Sequence, residues 1–168
     1  MVIIINGAIG TGKTAVAWEL LNLFERAAML DGDYFAALQP FSIFSPDDLT
    51  YVYQGLAHHI KFHTDHGFEH FIINYVFETA AELKKLEDLL PEAAGSVHEF
   101  VLHCQQNERD GRIRKRNNDD IEWEITRSAQ LTDILRENNW DGGLGHLLDT
   151  TNLSVQEVAQ HIRTLASN

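Results

Sequence analysis

The sequence predicts an α/β fold built on a parallel sheet, and three observations predict it. Short apolar runs alternate with helical patterns along the whole 168 residues, as βαβ units do. The first run ends in a glycine-rich turn that opens a helix. The other segments rich in acidic or basic side chains also follow strand ends, where open parallel sheets bind their ligands.

Each element has its own cause. Residues 2–5 are Val-Ile-Ile-Ile, a β-branched run that suits a buried strand. A helix over about residues 13–26 follows from Val16, Leu20, Leu23, Phe24 and Ala27 at helical spacing. Ala27–Asp31 reads as a second strand ending in Asp31-Gly32-Asp33. Ser45-Pro46-Asp47-Asp48 has a capping serine, a proline at the first helical position and acids in the first turn, so it starts a helix running to about His66. Residues 71–76 make a third strand, and Leu83, Leu86 and Leu90 give the next helix its apolar face before Pro91. Residues 97–102 make a fourth strand. An arginine-rich segment, a helix over about 121–137, a turn-rich loop over 138–145 and a short fifth strand over 147–149 follow. Ser154 and Glu157 form a capping box before a closing helix with Val155, Val158, Ala159, Ile162 and Leu165 on one face.

Composition narrows the function. One domain over residues 1–168 is expected from the length. The net charge is −12, which argues against a nucleic-acid binder or an anionic membrane surface, since both draw affinity from basic residues. The single Cys104 cannot form an internal disulfide or a cysteine metal site. No apolar run is long enough to span a bilayer. A cytoplasmic protein, monomeric or homodimeric, is the expectation.

Gly7-Ala8-Ile9-Gly10-Thr11-Gly12-Lys13-Thr14 matches G-x-x-x-x-G-K-[ST] without a mismatch. Gly7, Gly10 and Gly12 let the backbone approach phosphate oxygens, and with Thr11 they turn N–H groups and a helix N-terminus toward the anion. Lys13 reaches the β- and γ-phosphates of ATP, and the Thr14 hydroxyl binds Mg²⁺. The strand before and the helix after supply the context that this motif needs.

On these residues the chain resembles the small P-loop kinases, the group holding shikimate kinase, gluconate kinase, adenylylsulfate kinase, chloramphenicol phosphotransferase and the nucleoside monophosphate kinases. The resemblance spans nearly the whole chain. It is carried by Gly7 to Thr14, by Asp31-Gly32-Asp33, by the arginines around Arg112 and Arg116, and by Leu148-Asp149-Thr150-Thr151-Asn152. It implies a single-domain, three-layer P-loop NTPase fold with a five-stranded parallel sheet and an arginine-rich lid, here roughly residues 105–127. It further implies that Asp33 orients the acceptor hydroxyl and that Asp31 joins the Mg²⁺ shell. The pair also reads as an Asp-Gly turn after a strand. An extended chain at this point would turn both carboxylates to one side.

Residues 108–116 carry Arg109, Arg112, Arg114, Lys115 and Arg116 against Glu108 and Asp110. Such basic charge in an acidic chain suggests a local anionic ligand. Arg112 and Arg116 share a helix face and are expected to neutralise the transferring phosphoryl group, with Arg109 on the nucleotide. A solvated basic helix pairing with Asp119, Asp120 and Glu122 is the other reading. The resemblance adds Arg127 toward the acceptor or the phosphates.

Between Asp31 and Tyr75 lie six acids, Lys61 and no arginine. Guanidinium groups usually hold an anionic acceptor, so a neutral or cationic acceptor is expected. Tyr34 is expected at the acceptor, and Phe35, Phe41, Tyr51 and Tyr53 form either its apolar wall or core. Asn74 ends the third strand where many P-loop proteins place a metal-binding acid. His59, His63, His66 and His70 could share one helical face if that helix continues through Gly67. The expected function is ATP-dependent phosphoryl transfer to a hydroxyl of a small molecule. A nucleoside or nucleotide kinase and a non-catalytic nucleotide-binding module are the alternatives.

Overall fold

The computed structural model describes residues 1–116 and 120–167; Asp119 and the part of the expected lid at 117–119 lie outside the described residues. Five strands, β1 (Val2–Gly7), β2 (Ala27–Asp31), β3 (His70–Asn74), β4 (Val97–His103) and β5 (His146–Asp149), form one sheet in the order β2-β3-β1-β4-β5. Every pairing is parallel. The helices are α1 (Lys13–Leu23), α2 (Gly32–Phe35), α3 (Pro46–Asp65), α4 (Ala80–Glu87), α5 (Gln106–Lys115), α6 (Ile121–Asn138) and α7 (Val155–Ala166).

Strand periodicity divides the core between the two faces. Ile4, Leu30, Phe71 and Ile73 face α3 and α4, where Val52, Leu56, Ile60, Leu83 and Leu86 meet them. Ile3, Ile5, Ile72 and Leu102 face α1 and α7 through Val16, Leu20, Val158 and Ile162. Each such fully buried Ile or Leu contributes about 1.5–3 kcal/mol of transfer free energy. The all-apolar run at the start of β1 is thus explained by burial on both faces.

Local differences from the sequence reading have local causes. α1 ends at Leu23, because Phe24 is extended and Arg26 takes φ +51°. Asp31 ends β2 extended, but Gly32 and Asp33 are helical, so the pair does not lie along one extended chain. Asp31 caps α2 by accepting a hydrogen bond from the Asp33 N–H at 3.1 Å, a local bond that competes with strand geometry. α3 stops at Asp65 and Gly67 takes φ +81°, so His70 falls on β3 and the four histidines share no helical face. His66 and His70 meet the carbonyls of Phe62 and Glu25 instead. No group of three or more metal-ligating side chains occurs among the described residues.

Candidate active site

The site forms at the carboxyl ends of β1, β2 and β3. β1 leads into the loop, and α1 begins at Lys13. Gly10 and Gly12 take φ +85° and +98°, left-handed values that a side chain would strain. A Cβ on Gly10 would also strike the Arg109 carbonyl at 2.9 Å. The first turn of α1 has no side-chain cap and no acid, which leaves its N–H groups for an anion. Thr11 is buried, with its hydroxyl donating to the Ala8 carbonyl at 2.9 Å. It therefore fixes the loop from within and offers a ligand only its backbone. Lys13 Nζ rests against the same carbonyl at 3.2 Å.

The strand register aligns Asp31 with Asn74. Asn74 Nδ2 donates to Asp31 Oδ2 at 2.6 Å and to Thr14 Oγ1 at 3.0 Å. One amide thus gathers a carboxylate and a hydroxyl, while its own Oδ1 is buried without a hydrogen-bond partner. A hard dication takes oxygen donors of this kind and completes its shell with water and phosphate. Thr14 and Asp31 therefore fit Mg²⁺. The amide at the third strand end leaves the carboxylate to β2.

A cleft of about 330 Å³ opens beside the loop. Lys13, Thr14, Asp33 and Arg116 are among the residues that line it. Burial pushes the Lys13 pKa down to about 8, with Arg116 adding to the effect and Asp33 and Asp31 opposing it. Burial raises the Asp33 pKa, and Asp31 raises it further against Lys13. Arg112, on α5, donates from Nη1 to the Thr11 carbonyl at 3.4 Å, and Thr150 donates to the same oxygen at 3.3 Å.

Three expected site residues sit elsewhere or differently. Arg109 is buried, packs against Gly10 and donates to Thr132 Oγ1 at 2.8 Å. It braces the loop from behind because α5 turns its face inward there. Tyr34 is 81% exposed on the outer side of α2 and does not line the cleft. Arg127 lines the cleft but is ion-paired with Glu78. Arg114 does pair with Glu122, at 3.3 Å, as a solvated helix would.

The aromatic wall also differs. Tyr53 is core, Phe35 and Phe41 pack against that core, and Tyr51 is exposed. Ile43, Leu49, Tyr75 and Trp123 line the cleft instead, with Glu78, Glu82 and Glu124. Trp123 lies four residues before Arg127, so the helical period could have placed it there once Arg127 was in the site. Glu78 carries no comparable local signal.

No protein-family model matches the chain and no curated protein matches it. Solved structures do. The tunicamycin resistance protein of Deinococcus radiodurans superposes with TM-score 0.69 at 20% identity, over 98% of this chain and 94% of that one. A gluconokinase of Sinorhizobium meliloti gives TM-score 0.70 at 13% identity, over 99% and 93%. The chain has the small P-loop kinase fold. The APS kinase of Mycobacterium tuberculosis, solved with AMPPNP and APS, shares this fold with TM-score 0.67 at 17% identity, over 99% and 97%.

Proposed function

We propose that this protein is an ATP-dependent phosphotransferase that moves the γ-phosphoryl group to a hydroxyl of a small neutral or cationic molecule. The observation that carries the reading is that one cleft is lined by Lys13, Thr14, Asp33 and Arg116 together, with Asp33 and Arg116 close enough to Lys13 to shift its titration. The same cleft has an apolar lining from Ile43, Leu49, Tyr75 and Trp123 and acidic side chains from Glu78 and Glu82. The likeness to kinase structures supports it.

The loop amides and Lys13 hold the polyphosphate of ATP. Arg112 and Arg116 spread the charge of the transferring group, much as a cis arginine does. The Asp33 carboxylate accepts a hydrogen bond from the acceptor hydroxyl and takes its proton. The hydroxyl oxygen forms the new bond to the γ-phosphorus. The bond to the β,γ-bridging oxygen breaks, and its electron pair leaves with ADP. Thr14 and Asp31 would hold Mg²⁺, which when bound neutralises charge on the β- and γ-phosphates. Asn74 keeps those two ligands together.

The test is Mg²⁺-dependent ADP release across sugars, sugar acids, nucleosides, nucleoside monophosphates and amino alcohols. Stimulation by a neutral or cationic alcohol, lost in Lys13→Ala and reduced about 10²–10⁴-fold in Asp33→Asn, is the expected result. Stimulation by nucleoside monophosphates alone would make it a nucleotide kinase. Tight nucleotide binding with no stimulated turnover would make it a regulatory module.

A further inference from the structure

We propose that Glu78 sets which acceptors this cleft admits: by holding Arg127 in an ion pair it takes the acceptor end's cation out of play and shuts out anionic acceptors. The inference rests on the kinase reading above and names the acceptor class more narrowly, as a hydroxylated amine or a neutral polyol.

Both partners are fixed independently of one another. The Glu78 N–H donates to Glu82 Oε2 at 2.7 Å, and its carbonyl accepts from Asn138 Nδ2 at 2.9 Å. Glu78 is therefore clamped between the start of α4 and the end of α6. Arg127 is fixed by its neighbour, since Ser128 Oγ donates to the Ile9 carbonyl at 2.7 Å and pins α6 to the phosphate loop. The guanidinium also lies 5.9 Å from the centre of the Phe44 ring. The Arg127 side chain is only 12% exposed, against 31% for Glu78. This is not a loose surface pair of the kind that contributes little.

The cations lining the cleft among the described residues are Lys13, Arg116 and Arg127. The first two serve the phosphates. With Arg127 neutralised, an acceptor meets Asp33 and Glu82 in addition to the pair itself. A carboxylate or phosphate there is repelled. An ammonium is attracted and can also rest on the face of Trp123. An unpaired Arg127 would instead offer a planar fork suited to oxyanions.

The test fills the nucleotide site with Mg²⁺ and a non-hydrolysable ATP analogue and titrates sulfate, read by calorimetry and by the arginine Nε–H resonances. Four proteins are compared: wild type, Glu78→Gln, Arg127→Gln and the double variant. Glu78→Gln should bind sulfate at least about tenfold more tightly than wild type, and the double variant should lose that gain. Equal affinity in wild type and Glu78→Gln overturns the proposal, as does a gain that survives in the double variant. If Glu78→Gln does not fold, Arg127→Gln decides: unchanged sulfate affinity relative to wild type supports the pairing, and a loss shows that Arg127 was available all along. Sulfate binding needs no turnover. A protein with no acceptor-stimulated ADP release would therefore sink the kinase reading without touching this result.

Discussion

Lys13 holds its charge in a setting that favours the neutral amine. Its pKa of about 8 in the free protein lies below the ordinary 10.5. The ammonium thus costs stability at pH 7, and the cost fades as pH rises from about 8 to 10.5. A bound polyphosphate reverses the balance. Nucleotide binding above pH 8 should therefore take up a proton, and affinity should fall as pH rises. Calorimetry at pH 9 in two buffers of different ionisation enthalpy measures the uptake directly. Asp33 is shifted the other way from its ordinary value of 3.8. Its carboxylate must be ionised to accept a proton, so kcat/KM should fall on the acid side through a pKa above 3.8, and Asp33→Asn should remove that limb. Asp33→Asn should also raise the Tm of the free protein at pH 7, because the charge that burial and Asp31 disfavour is gone. The loop residues could be read from the chain because left-handed backbone and anion contact each allow few residue types. Glu78 could not, since only the packing of α4 and α6 brings it to Arg127.

Elements are legible in the sequence where their signals are local. The box between Ser154 and Glu157 is present at α7, with the Glu157 N–H donating to Ser154 Oγ at 3.2 Å and the Ser154 N–H donating to Glu157 Oε2 at 2.8 Å. Ser154→Ala should cost about 1 kcal/mol, or about 2–4 °C in Tm by thermal unfolding, without changing nucleotide affinity. The start of α3 followed from Ser45 and Pro46 in the same way. α2 is not legible in the sequence because four residues give no period, and its cause is a single side-chain cap. The histidine face failed for a tertiary reason. Gly67 turns the chain so that His70 can join β3, and the Phe68 and Glu69 N–H groups are satisfied by His63 and Arg26 carbonyls rather than by a continuing helix.

For the molecule as a whole, the strand order places β1 in the middle, with β3 and β4 as its neighbours. The loop thus issues from the best-buried strand, and neighbouring elements come to it from both sides. α5 and the segment after β5 reach it through the shared Thr11 carbonyl. No helix among the described residues is long and apolar enough to cross a membrane. The chain has a net charge of −12, yet five of its thirteen Lys and Arg residues fall within residues 109–116. Because ligand contacts would join α1, α5 and β2, Mg²⁺-ATP analogue at about a hundred times its Kd should stabilise the fold by about 2.7 kcal/mol. That is about 5–11 °C in Tm, and removing Mg²⁺ with a chelator should return most of it.

Trp123 gives the cleft its own lamp. The chain has three tryptophans, and Trp123 lines the cleft whereas Trp18 and Trp140 do not. At 57% exposure its indole is largely wet, so an occupant laid against it should shift the emission to shorter wavelength. Replacing Trp18 and Trp140 by phenylalanine leaves one emitter, whose colour then follows acceptor entry in real time, before any phosphoryl group has moved.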